Sequence, residues 1–245
     1  MRLVHEISPD IVTMENVPNL ARQDIFRDFV FFLGKNDYYV SYSNVYCPDY
    51  GIPQTRTRLV LLASRLGEIE LIPKTTEKDN YKTLKETIGK LEKICAGQKS
   101  RQDPLHRACG FTDINMARIK QSKPGGSWRD WDESLVLPCH KKETGKSYPS
   151  VYGRMCWDEP SPTITTQFYN YGTGRFGHPE QDRALSLREG ALLQTFPLDY
   201  EFIDPNNEGA SIRRLGIHIG NAVPVKLAEI IGKSIIKHLE GNHAK

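Results

Sequence analysis

Up to Ser64 the chain alternates short apolar runs with one helical stripe. Ile11, Val12 and Met14 form an apolar run inside Asp10–Pro18, and Pro18 cannot continue a ladder, so a short buried strand is predicted with Glu15 at its end. Before it, Leu3, Val4 and Ile7 share one face, and Ser8-Pro9 closes what reads as the tail of a helix. A buried strand fed by such a remnant needs neighbours on both sides. From Ala21 to Leu33 the apolar positions Ile25, Phe26, Phe29, Val30 and Leu33 follow helical spacing, with Gly34 as the stop. Tyr38 to Val45 alternates as a strand, and Arg58 to Ala63 is the continuous apolar run of a second buried strand. Roughly two or three strands and one helix are too little for a complete doubly wound sheet.

The pattern changes after Ser64. Lysine and glutamate dominate, with a helix predicted from Leu84 to Ile94 and a short capped one from Asp113 to Gln121. Lys123 to Arg129 is a loop by its glycine and proline content, and 145–177 is irregular and rich in Tyr, Thr, Gly and Arg, as surface-exposed contact loops are. Ser186 caps a predicted helix from Leu187 to Phe196. Pro224 opens a terminal one to Leu239, with Leu227, Ile231, Ile235 and Leu239 on one stripe.

Composition narrows the chemistry. Among 245 residues, 33 basic against 30 acidic side chains leave a net charge of +3, so any surface for nucleic acid must be local. A mean hydropathy of −0.51 and the lack of a long apolar run argue against a membrane span. Met1 to Glu6 carries no signal-peptide hydrophobic region, which predicts a cytoplasmic protein. The five cysteines are scattered without a C-x-x-C pair, which supports neither a disulfide framework nor a zinc site; no metal is expected. Two motifs are decoys. Gly172 to Gly177 spells G-x-G-x-x-G, but His178-Pro179 follows where a helix should begin, so it reads as a loop presenting Arg175. Cys139 beside Pro138 has only Lys141 and Lys142 as activating neighbours.

Four stretches in order resemble the DNA cytosine-5 methyltransferase family. Glu15-Asn16-Val17 looks like its ENV motif, and Gly51-Ile52-Pro53-Gln54-Thr55-Arg56-Thr57-Arg58 like its G-x-P-Q-x-R-x-R motif. Arg183 to Glu189, running on to Gln194-Thr195-Phe196-Pro197, resembles the helix after the target-recognition region. Gly220-Asn221-Ala222-Val223-Pro224 resembles the start of the last helix. The resemblance covers nearly the whole chain. It implies an α/β fold: the C-terminal part of a Rossmann-like S-adenosylmethionine-dependent methyltransferase sheet at residues 1–65, a small irregular target-recognition domain at 66–180, and a hinge with the last helix at 181–245. The family carries its cofactor glycine loop and Pro-Cys-Gln nucleophile upstream of the ENV motif, where this sequence has few residues, and Cys139 lies too far downstream to be that nucleophile. The expectation is therefore either a second polypeptide that supplies both or a fragmentary chain.

The implied chemistry is methyl transfer from S-adenosylmethionine to carbon 5 of cytosine, which becomes nucleophilic once a thiolate adds to carbon 6. By resemblance Glu15 is the acid at N3 and accepts from the exocyclic amine, Asn16 holds the turn, Arg58 and Arg56 contact the base carbonyl or a nearby phosphate, and Gln54 braces the active-site loop among the DNA-binding groups. Asn221 and Val223 are implied to lie near the cofactor. Double-stranded DNA is the expected partner, and the base must flip out of it. Lys123, Arg129, Arg154, Tyr169 and Arg175 are the candidate contacts, because phosphates call for cations and base edges for polar loop side chains. Pairing with a restriction enzyme and a nucleoid-associated activity are further implications. A catalytically inactive DNA-binding module, or the remnant of an interrupted gene, is the competing reading.

Overall fold

The computed structural model describes residues 1–203 and 211–243, without the side chains of Lys146, Asn242 and His243; the rest of the expected 181–245 segment lies outside the described residues. After α1 (Arg2–Ile7), three strands form one sheet in the order β1 (Ile11–Asn16), β3 (Thr57–Ser64), β2 (Tyr39–Tyr46). β3 runs antiparallel to both neighbours, with Glu15 opposite Val60 and Val45 opposite Arg58. Whereas β1 is expected to have neighbours on both sides, its ladder partner among the described residues is β3 alone. β3 takes the centre because every residue from Leu59 to Ser64 is buried. Leu59, Leu61 and Ala63 pack with Phe26 and Leu33 of α2 (Asp24–Lys35), whereas Val60 and Leu62 pack with Leu227, Ile230 and Ile231 of α8 (Val225–His243). Both faces of the sheet are thus covered, which is why β3 reads as an unbroken apolar run. Gly34 does not stop α2; the helix runs on to Lys35, before Asp37 turns left-handed at φ 64°.

The second half builds its own core. α3 (Leu84–Ile88) starts in a Thr83–Glu86 capping box and stops well short of Ile94, because Gly89 takes the C-cap. α4 (Asp113–Gln121) matches its pattern, and α5 (Pro138–Lys141) is a single turn. α6 (Leu187–Leu193) opens in a Ser186–Glu189 capping box and ends before Phe196, because Thr195 is left-handed at φ 61°. α7 (Ile212–Asn221) is not predicted by the pattern. Its stripe Ile212, Leu215, Ile219 is interleaved with Gly216 and Gly220, which read as breakers. Leu84, Ile88, Leu187, Leu193, Leu215 and Ile219 close this core around Phe168 and Ile164. No helix among the described residues is long and apolar enough to cross a membrane.

Candidate active site

The turn after β1 and the entry to β3 lie at one end of the sheet, where α/β folds place ligands. Asn16 Oδ1 accepts from the Val17 N–H at 2.8 Å and so holds the turn that presents Glu15. Gly51 makes the approach to β3 possible with φ 69°, a conformation glycine adopts without strain. Residues 53–56 then run beside 161–164: the Ser161 N–H donates to Pro53 O at 3.0 Å, and the Thr55 N–H donates to Ser161 O at 2.8 Å. The tip of α7 presses onto the same strip, since a Cβ on Gly220 would lie 2.3 Å from Thr165 O.

These segments enclose a cavity of about 380 Å³ lined by Glu15, Asn16, Val17, Arg56, Arg58, Thr163 to Thr166, Gly220 and Asn221. Small-ligand pockets span roughly 300–1,000 Å³. Arg58 Nε stands 2.8 Å from Glu15 Oε1, an ion pair without hydrogen-bond alignment, so this buried oxygen has no hydrogen-bond partner. Arg56 Nη1 donates to Ile164 O at 2.9 Å, while its buried Nε has no partner. Burial and the neighbouring Arg58 lower Arg56 to about 10, which leaves it charged at neutral pH. A larger cavity of about 750 Å³ lies between Lys90, Asp103, Arg188 and Tyr200, and none of the candidate residues lines it.

Glu15, Asn16, Arg56, Arg58 and Asn221, far apart in sequence, therefore meet. Others do not. Gln54 is wholly buried and braces Ile164 rather than facing DNA, with its Oε1 accepting from the Ile164 N–H at 2.9 Å. Val223 packs against the α8 side of the sheet, away from the cavity. Arg154 corrects the reading of it as a DNA contact: it is 4% exposed and donates to the carbonyls of Ile119, Ser122, His178 and Gln181, with Asp182 at 2.6 Å. Tyr169 is half-buried, its ring 2.3 Å from where a Gly216 Cβ would stand. Lys123 and Arg129 are exposed, the latter over the Trp128 ring, and Arg175 is half-buried with a partnerless Nε. Thr163, Thr165, Thr166 and Gly220 are pocket residues that sequence reasoning missed. Their signal is the Thr-x-Thr-Thr run after Pro162, which has no helical or strand period.

Among the described residues no cysteine lines the pocket. Cys47 feels Arg56, Arg58 and Glu15, but burial pushes its thiol up to about 11, so it stays protonated; Cys139 is exposed on α5. Gly172 to Gly177 leads into a bridge with Arg154 and Ala184, not a helix. Gly220 and Asn221 form one edge of the pocket. Among the described residues no group of three His, Cys, Asp or Glu fits a metal ion.

The C-5 cytosine-specific DNA methylase model matches residues 1–237. Type II methylase M.HgiDII of Herpetosiphon aurantiacus is 52% identical over 247 residues, covering 100% of this chain and 69% of that protein. Type II methyltransferase M.PspPI of a Psychrobacter strain is 32% identical, over 97% of this chain and 56% of its own length. In fold, the chain is similar to a DNA modification methyltransferase encoded within an E. coli prophage (TM-score 0.68, 21% identity, 98% of this chain and 72% of that one). It is also similar to the Dnmt2 methyltransferase of S. pombe (TM-score 0.58, 14% identity, 94% and 66%). The chain belongs to the C-5 cytosine-specific DNA methylase family, and its fold is part of a Rossmann-like methyltransferase.

Proposed function

We propose that this chain is the base-activating and DNA-recognising part of a type II cytosine-5 DNA methyltransferase, working in the cytoplasm of a restriction-modification system. The observation that carries this is the convergence of Glu15, Arg56, Arg58 and Asn221 on one cavity. A flipped cytosine there meets the Glu15 carboxyl at N3 and its exocyclic amine, which selects against thymine. Arg58 faces the carbonyl where charge develops as the ring is attacked. Lys123, Arg129, Arg175 and Tyr169 hold the duplex from the recognition region at 66–180, with the phosphates taking the cations. S-adenosylmethionine supplies the methyl group from a site that Asn221 borders. A second polypeptide with the cofactor loop and Pro-Cys-Gln segment provides that site and the thiolate.

Co-expression tests the reading. The chain together with such a polypeptide transfers a labelled methyl group to carbon 5 of cytosine in duplex DNA, and the chain alone does not. Transfer by the chain alone would remove the partner. A pair that binds DNA and cofactor yet never methylates would leave an inactive DNA-binding module.

A further inference from the structure

Two buried amides link the end of α6, the tip of α7 and the strip at Ile164 beside the pocket. Gln54 Nε2 donates to Gln194 Oε1 and to Leu193 O, both at 3.0 Å. Gln194 Nε2 reaches Ile219 O at 2.8 Å, Ala222 O at 3.2 Å and Gly220 O at 3.4 Å, at the helix C-terminus where backbone carbonyls need partners from outside the helix. Gly220 in turn abuts Thr165, and the adjacent Ile164 is gripped on its N–H by Gln54 and on its carbonyl by Arg56. Both glutamines are wholly buried. Gln194 sits directly after α6, whose Glu189 anchors the recognition core through Arg183. The next residue, Thr195, holds a left-handed backbone and accepts the Lys226 N–H at the start of α8 on its hydroxyl.

We propose that Gln194 is a positioning residue that couples the recognition region to the base pocket, a role that rests on the function proposed above. A displacement of α6 moves Gln194, which shifts the α7 tip bearing Asn221 and, through Gln54, the Ile164 strip and Arg56. Two glutamines suit such a link because each amide donates and accepts at once, so neither end moves without breaking a bond inside a dry interior.

The test uses Gln194→Met, which keeps length and volume while removing every polar contact, alongside Gln54→Met and the double variant. In the chain itself, amide exchange at Ile164 rises at least tenfold in Gln194→Met, although residue 194 does not touch it, while β3 and α8 amides change less than twofold. In the reconstituted enzyme kcat falls ten- to a hundredfold with KM for DNA within threefold, and the double variant is no worse than the poorer single one. Ile164 exchange and kcat at wild-type values would overturn the coupling, as would losses that multiply in the double variant or that only track the unfolded fraction. If the wild-type pair does not methylate at all, the proposed function fails, and the Ile164 exchange still decides whether the link exists.

Discussion

The sheet end and the core around α6 use the same charged residue types in opposite ways. Around α6, Arg183 grips Glu189 with two bonds of 2.7 and 2.6 Å, the Ser186 N–H donates to the same carboxylate, and Arg154 meets four carbonyls and Asp182. Arg183, Glu189 and Arg154 are nearly inaccessible and hydrogen-bonded within the fold. At the sheet end, Glu15 and Arg58 pair across the mouth of a cavity, and Glu15 Oε1 and Arg56 Nε have no hydrogen-bond partner. Charge that is fully bonded holds a fold; charge left underbonded beside a cavity is available to a substrate.

The widest gap between the regions comes from removing one charge in each. Arg183→Met strands a buried carboxylate and costs about 3–5 kcal/mol of stability, read by urea denaturation. Arg58→Met costs less, roughly 1–3 kcal/mol, because its pair keeps some contact with water, and lowers methyl transfer in the reconstituted enzyme. Equal stability losses would erase the distinction.

Acid separates the regions next. Burial lowers His178 from 6.5 to about 4 against the pull of Glu189, and its Nδ1 accepts from the Glu180 and Gln181 N–H groups, as a neutral ring does. Burial would raise Glu189, but Arg183 outweighs it and holds the carboxyl at about 2. Both groups bind protons more readily unfolded. Stability is therefore complete above pH 6.5, falls by roughly 3 kcal/mol between 6.5 and 4 as the His178 contribution is lost, and falls again between 4.5 and 2 with Glu189. His178→Phe should flatten the first decline in denaturation curves taken across pH. An unchanged curve would show that His178 does not set it.

The smallest effect concerns DNA. Lys123→Ala should reduce the slope of log affinity against log salt by about 0.9, one phosphate contact. Arg154→Met should leave that slope unchanged among molecules that remain folded, as measured by fluorescence anisotropy.

Much of the sheet end is legible in the sequence because its strands are apolar runs bounded by proline and glycine, and its charges stand at run ends: Glu15 after Met14, Arg58 before Leu59. The antiparallel insertion of β3 between β1 and β2 is not legible, since a strand's periodicity carries no direction. The Thr163 to Thr166 wall and α7 escape for a related reason. Close approach of two backbones demands glycine and small hydroxyl residues, and in a sequence these look like loop. Arg154 is misplaced because composition does not separate a polar side chain saturated by carbonyls from one facing solvent; only the neighbours at Ile119, Ser122, His178 and Gln181 do.

In the proposed reaction the carboxyl at the end of β1 acts on the base. Glu15→Gln keeps the size and polarity of the side chain, so the reconstituted enzyme should retain its melting temperature and DNA affinity while single-turnover methyl transfer to cytosine falls ~10²–10⁴-fold. Transfer at the wild-type rate by a folded, DNA-bound Glu15→Gln enzyme would contradict it.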